Sequence, residues 1–160
     1  LTVPEFRRSL DIFPLEYGEI IRAHARVHGD DPFVGLSIAA ADLRRACERQ
    51  VASHLVHLRE GYLDTGGRPG AVAQLVAESA PSFTAILRTL SGLAQPDVAD
   101  RREATARGGQ LAGLAPALVD DLVRLADRPR VPTVDAARLF PEYLAAVERL
   151  AHVIDTWPTS

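Results

Sequence analysis

The sequence predicts a mainly α protein: an antiparallel bundle of four to five helices over residues 38–160, preceded by a short β or irregular segment over 1–37. Three observations carry this. Apolar residues recur at spacings of three and four through four long runs, the signature of helices with one buried face. Glycines and prolines cluster at the ends of those runs, where a helix stops or begins most cheaply. Before residue 38 that rhythm fails, and β-branched and aromatic residues gather around Pro14 instead.

In chain order, residues 4–9 form a single helical turn. The stretch SLDIFPLEYGEII (9–21) reads as a strand, and Pro14 in its middle suits an edge or a bulge because proline cannot donate to a ladder. Asp11, Glu16 and Glu19 would then be charges on that strand, Asp11 and Glu16 on opposite faces because their separation is odd. Residues 20–27 fit a second strand or a short helix. His28-Gly29-Asp30-Asp31-Pro32 is a turn: glycine frees the backbone, aspartate bonds nearby amides and proline directs the exit. Two strands do not stand alone in water, so the segment is expected to lean on a sheet from elsewhere, with Leu1 as a cut edge.

Residues 40–63 carry the cleanest helical pattern. Leu43, Cys47, Val51, Leu55, Leu58 and Tyr62 line one face, Arg44 and Glu48 pair one turn apart, and Gly66-Gly67 ends the run. A second helix opens at Pro69 and keeps its stripe from Val72 to Leu90, with Pro81 inside it as a kink. After Gln95-Pro96-Asp97 come a short Arg- and Ala-rich helix to Arg107, a turn at Gly108-Gly109, and a helix over 116–127 that buries Leu118, Leu122 and Leu125. Residues 128–132 are a stiff connector. The last helix begins near Thr133 and lines up Phe140, Tyr143, Leu144, Val147, Leu150, Ala151 and Ile154.

Composition removes several chemistries. All 18 basic side chains are arginine, so neither a Schiff-base lysine nor a phosphate-loop lysine exists in this chain. A net charge of −3 gives no basic footprint for nucleic acid. Cys47 is the single cysteine and sits on an apolar face, which predicts core packing, no disulfide framework and a cytoplasmic home. No apolar run in the sequence approaches membrane-spanning length, and no signal peptide is expected from its first residues. The histidine pairs His24/His28 and His54/His57 have helical spacing but lack a third ligand at zinc-like distance. His54, at the edge of its stripe, is expected to be a hydrogen-bonded boundary residue.

Two resemblances bear on function. SLDIFPLEYGEI, HGDDPFVGL, DLRRACERQ and HLREGYL, in that order, resemble the C-terminal part of bacterial proteins related to the DNA polymerase β-like nucleotidyltransferases. The resemblance spans essentially the whole chain. It implies an accessory helical domain that binds substrate beside a catalytic α/β domain, residues 1–37 being a remnant of the latter. In that family an upstream Gly-Ser motif and an Asp-x-Asp pair hold Mg²⁺ and a nucleoside triphosphate, and a later strand adds a third carboxylate; both upstream motifs are absent here. Glu16 matches that carboxylate best and Glu19 less well. Arg44, Glu48, Arg59 and Tyr62, along one flank of the first long helix, would contact the nucleotide or an unidentified acceptor. The chain by itself would not catalyse. The second resemblance is Arg49-Gln50-Val51-Ala52-Ser53-His54, which is similar to the ribonuclease motif of HEPN-type helical domains, with Gln50 a departure from it. A reading that needs neither is a stand-alone helical interaction module that forms a homodimer.

Overall fold

A computed structural model gives the architecture of the chain. It describes all residues except 1, 2, 11, 23, 32, 96, 97, 99, 128–135, 159 and 160, and all of their side chains except those of 3, 4, 7, 19, 22 and 136–138. The described residues form seven helices and no strand: α1 (Val3–Ser9), α2 (Pro14–Arg22), α3 (Ala40–Thr65), α4 (Pro69–Ala94), α5 (Arg101–Leu111), α6 (Pro116–Asp127) and α7 (Ala136–Asp155).

The bundle stands as the periodicity predicts, and its ends obey local rules. α3 stops where Gly66 takes φ 58° and its N–H bonds Leu63 O at 3.1 Å. That conformation costs glycine little. Pro69 and Pro116 open α4 and α6, where a missing N–H loses no helical bond. Asp100 accepts from Glu103 N at 2.8 Å and starts α5. α4 is the central helix and packs against α3, α5, α6 and α7. Its Val76, Phe83, Ile86, Leu87 and Leu90 meet Val51 and Leu58 of α3, Leu122 of α6, and Tyr143, Val147 and Leu150 of α7 in one apolar core. Each fully buried side chain of this size contributes roughly 1.5–3 kcal/mol.

Two local expectations are corrected. The stretch with Pro14 is not an edge strand but the start of α2. Ser9 O accepts from the amides of Ile12 and Phe13 and turns the chain, and Pro14 then occupies a position where a proline is harmless. Glu16 is therefore in the first turn of a helix. Glu19 follows in the same helix with its side chain outside the described set, and Asp11 lies outside the described residues altogether. Residues 20–27 divide at Arg22, helical before it and irregular from His24 on.

The second correction is Gly108-Gly109, which does not turn the chain but lies inside α5. A Cβ on Gly108 would sit 2.0 Å from Leu87 O, and one on Gly109 would sit 2.7 Å from Val119 Cγ2. The pair lets α5 press directly onto α4 and α6, a reason invisible to local pattern. The turn comes at Gly113, φ 64°. The expected connector over 128–132 falls outside the described residues.

Candidate functional site

The predicted flank of α3 faces α7. Arg44 donates from Nε to Glu48 Oε1 at 2.8 Å and from Nη2 to Asp155 O, the last carbonyl of α7, at 3.1 Å. A cation at that end is favoured by the partial negative charge of the unpaired helix carbonyls. Arg59 donates from Nη2 to Glu148 Oε1 at 2.7 Å, and Tyr62 stacks on Phe140 with centroids 4.5 Å apart and planes 10° from parallel. All four residues lie along the seam between α3 and α7.

They form two groups. Arg44 and Glu48 belong to the N-terminal end of α3, Arg59 and Tyr62 to its C-terminal half. Fifteen residues of helix separate the two arginines, about 22 Å at 1.5 Å per residue, too far for one triphosphate to bridge. α2 packs against the first end: a Cβ on Gly18 would lie 3.3 Å from Ile38 and 4.0 Å from Leu43. Glu16, exposed on α2, is carried by the helix that packs at the Arg44 end of the seam.

Beneath the flank is a polar cluster that sequence reasoning reached only in part. His54 is 8 % exposed, and its Nε2 stands 2.7 Å from the Tyr143 hydroxyl. Ser79 on α4 donates from its hydroxyl to Val76 O at 3.1 Å. Phe83 meets Tyr143 edge-on at 5.1 Å and stacks near His54 at 6.0 Å. Burial, with the charge of His57 second, lowers the His54 pKa to about 4. Burial likewise raises that of Tyr143. Both rings are neutral at neutral pH, and in the Nδ1–H tautomer of His54 the phenol donates to Nε2. His54 was expected at the boundary with a hydrogen bond; Tyr143 was visible only as an apolar stripe position. Their 89-residue separation left no local signal for the pairing.

Arg49 and His54 point apart. Arg49 is exposed, whereas the His54 ring faces inward to Tyr143. Cys47 is fully buried, and burial, helped by Glu48, raises its thiol pKa to about 12, as an inert packing residue requires. His24 bonds Asp31, not His28, and His57 approaches Glu60 at 3.9 Å. Among the described residues no three His, Cys, Asp or Glu side chains gather in a way that would hold a metal ion. No described helix is long and apolar enough to cross a membrane.

Side chains of a different kind mark the N-terminal segment. Ile12, Phe13, Ile20, Val27 and Val34 are all exposed, Val27 at 96 % and Val34 at 72 %. The whole bundle from α3 onward adds only Val56, Tyr62 and Leu63 to the large exposed apolar residues described. Comparison of the chain with protein-family models, with curated proteins and with solved structures finds no match.

Proposed function

We propose that the chain is the accessory, substrate-binding helical bundle of a nucleotidyltransferase-like protein, and that it does not catalyse on its own. The observation that carries this reading is the concentration of exposed apolar side chains in residues 12–34, on and beyond the helix that holds Glu16. A bundle closed around its own core has no need of such a surface. Exposed apolar side chains gathered in one segment are suited to packing against another body, and a catalytic domain there would lie next to Glu16.

The division of the seam gives each end a role. Arg44 uses Nε and Nη2 on Glu48 and Asp155, and Arg59 uses Nη2 on Glu148. A guanidinium has five N–H donors, so both keep some for an anion. Arg44, at the end of α3 against which α2 packs, takes the nucleotide phosphates. Arg59 and Tyr62, about four to five turns further along, take the acceptor, with Tyr62 offering a partly exposed ring face. Glu16 supplies a carboxylate suited to receive the acceptor hydroxyl's proton, with Mg²⁺ ligands coming from outside the described residues.

The test is calorimetric titration of the intact gene product with Mg²⁺ and each nucleoside triphosphate, alongside a turnover assay on the 160-residue chain. Saturable binding by the intact product that weakens at least about tenfold in Arg44→Gln, with no turnover by the isolated chain, is expected. Failure of every nucleotide to bind would remove the reading.

A second reading is a helical module that dimerises. Val56 and Leu63, exposed two turns apart on one face of α3, favour it. A sedimentation experiment separates the two: a concentration-dependent dimer that Leu63→Glu abolishes supports the module, and a monomer at all concentrations rules it out. The HEPN-type reading has no comparable support, because its histidine is held inside the core.

A further inference from the structure

In the connector between α2 and α3, His24 meets two oxygens. His24 Nδ1 lies 3.0 Å from Ile21 O, and its Nε2 lies 3.2 Å from Asp31 Oδ1. Both partners are oxygens that can only accept from the ring. A neutral imidazole has one N–H and one lone pair, so it satisfies one of these oxygens and sets its lone pair against the other; the imidazolium donates to both. The same Asp31 Oδ1 accepts from Phe33 N at 2.9 Å. The His24 ring meets Phe33 nearly edge-on at 4.6 Å, Phe33 meets Phe6 of α1 at 5.2 Å, and Phe6 meets Tyr17 of α2 at 4.5 Å.

We propose that His24 and Asp31 form a proton-gated latch that holds Phe33 over the α1–α2 aromatic cluster and releases it when the imidazole loses its proton. Among the described side chains, the charged group that faces His24 is Asp31, and those that face Asp31 are His24 and Arg26. Desolvation opposes charge on His24, but the bonds to Ile21 and Asp31 and the charge of Asp31 together outweigh it, so the imidazole's pKa is raised. The bond from the Phe33 amide, and then His24, holds the Asp31 carboxyl below its ordinary value. The latch is therefore closed in mildly acid solution. It opens as pH rises through the elevated His24 value. Opening uncovers Phe33 and Phe6 beside the already exposed Ile12, Phe13 and Ile20, enlarging the apolar surface of this segment. The device stands apart from nucleotide binding and would hold if that proposal failed.

Its test is a pH titration of the full chain by NMR, following the His24 ring and the exchange of the Phe33 amide corrected for its intrinsic pH dependence. His24 is expected to titrate above a histidine in a blocked peptide, with Phe33 protection lost across the same transition. Asp31→Asn is expected to bring the His24 midpoint down and to remove Phe33 protection below the midpoint of the natural protein, while the amides of α4 stay protected and report an intact bundle. A His24 midpoint at or below the peptide value, or Phe33 protection that does not follow it, overturns the proposal.

Discussion

The bundle and the N-terminal segment hold together by different means. In the bundle, Phe83, Leu87, Leu90, Tyr143 and Val147 are fully buried around α4, and no single contact decides the arrangement. Among its described residues the N-terminal segment has a handful of half-buried rings and the His24–Asp31 contact, with Phe13 and Ile20 left in solvent. Small units bury too little apolar surface to offset the entropy of ordering. The difference is that α3–α7 share one closed apolar core, whereas α1, α2 and the described residues after them leave large apolar side chains in solvent.

The widest gap between the two regions should open on truncation. Phe83→Ala is expected to cost about 4 kcal/mol, the loss of a buried ring plus its cavity. Phe13→Ala, at 51 % exposure, should stay within about 0.5 kcal/mol. Urea denaturation of both variants reads this directly, and equal costs would break the comparison.

Acid should act next in size, and on the bundle first. The unfolded chain protonates His54 near 6.5, while the folded protein resists until about 4. This contribution is complete above 6.5 and drains away as pH falls towards 4, on the order of 3 kcal/mol in all. A urea midpoint that falls over this window in the natural protein, and falls less in His54→Gln, is the expected record. His24 has the opposite sign, since its raised pKa favours the closed latch at low pH and loses it at high pH. One protein thus carries two histidines that respond to protons in opposite directions, one in each region.

Gly108→Ala should cost about 2 kcal/mol, because its new Cβ would lie 2.0 Å from a backbone carbonyl that cannot rotate away. Thermal melting checks it; Gly70→Ala, with open space around the new Cβ, is the control. The smallest effect is expected at the seam. Arg59 and Glu148 are about half exposed, so Arg59→Ala should change stability by less than about 1 kcal/mol. A larger loss would show that the α3–α7 pair is structural and would weaken its assignment to a ligand.

Legibility followed the physics of each element. α3, α4, α6 and α7 were readable because a 3.6-residue period shows in any long run with one buried face. Their ends at Gly66, Pro69 and Pro116 were readable because backbone preferences are local. α2 was misread for lack of length: over nine residues β-branched and aromatic side chains fit either pattern, and Pro14 suits a helix start as well as an edge strand. Gly108-Gly109 looked like a turn because only a neighbouring helix explains why side chains are absent there. At the candidate site, the flank of Arg44, Glu48, Arg59 and Tyr62 was legible as one face of a helix. Its partners Asp155, Glu148 and Phe140 were not.

By itself, then, the sequence determined which stretches of the bundle are helical, where most of them stop, that Cys47 is packing, and that lysine chemistry is absent. These depend on neighbours within a few residues or on composition alone. The tertiary structure decided that His54 meets Tyr143, that Arg44 and Arg59 serve opposite ends of one seam, and that His24 is held between two oxygens. Such contacts join side chains brought together by chain reversal, and their chemistry is set by burial and by the partner's atoms, which no local pattern encodes.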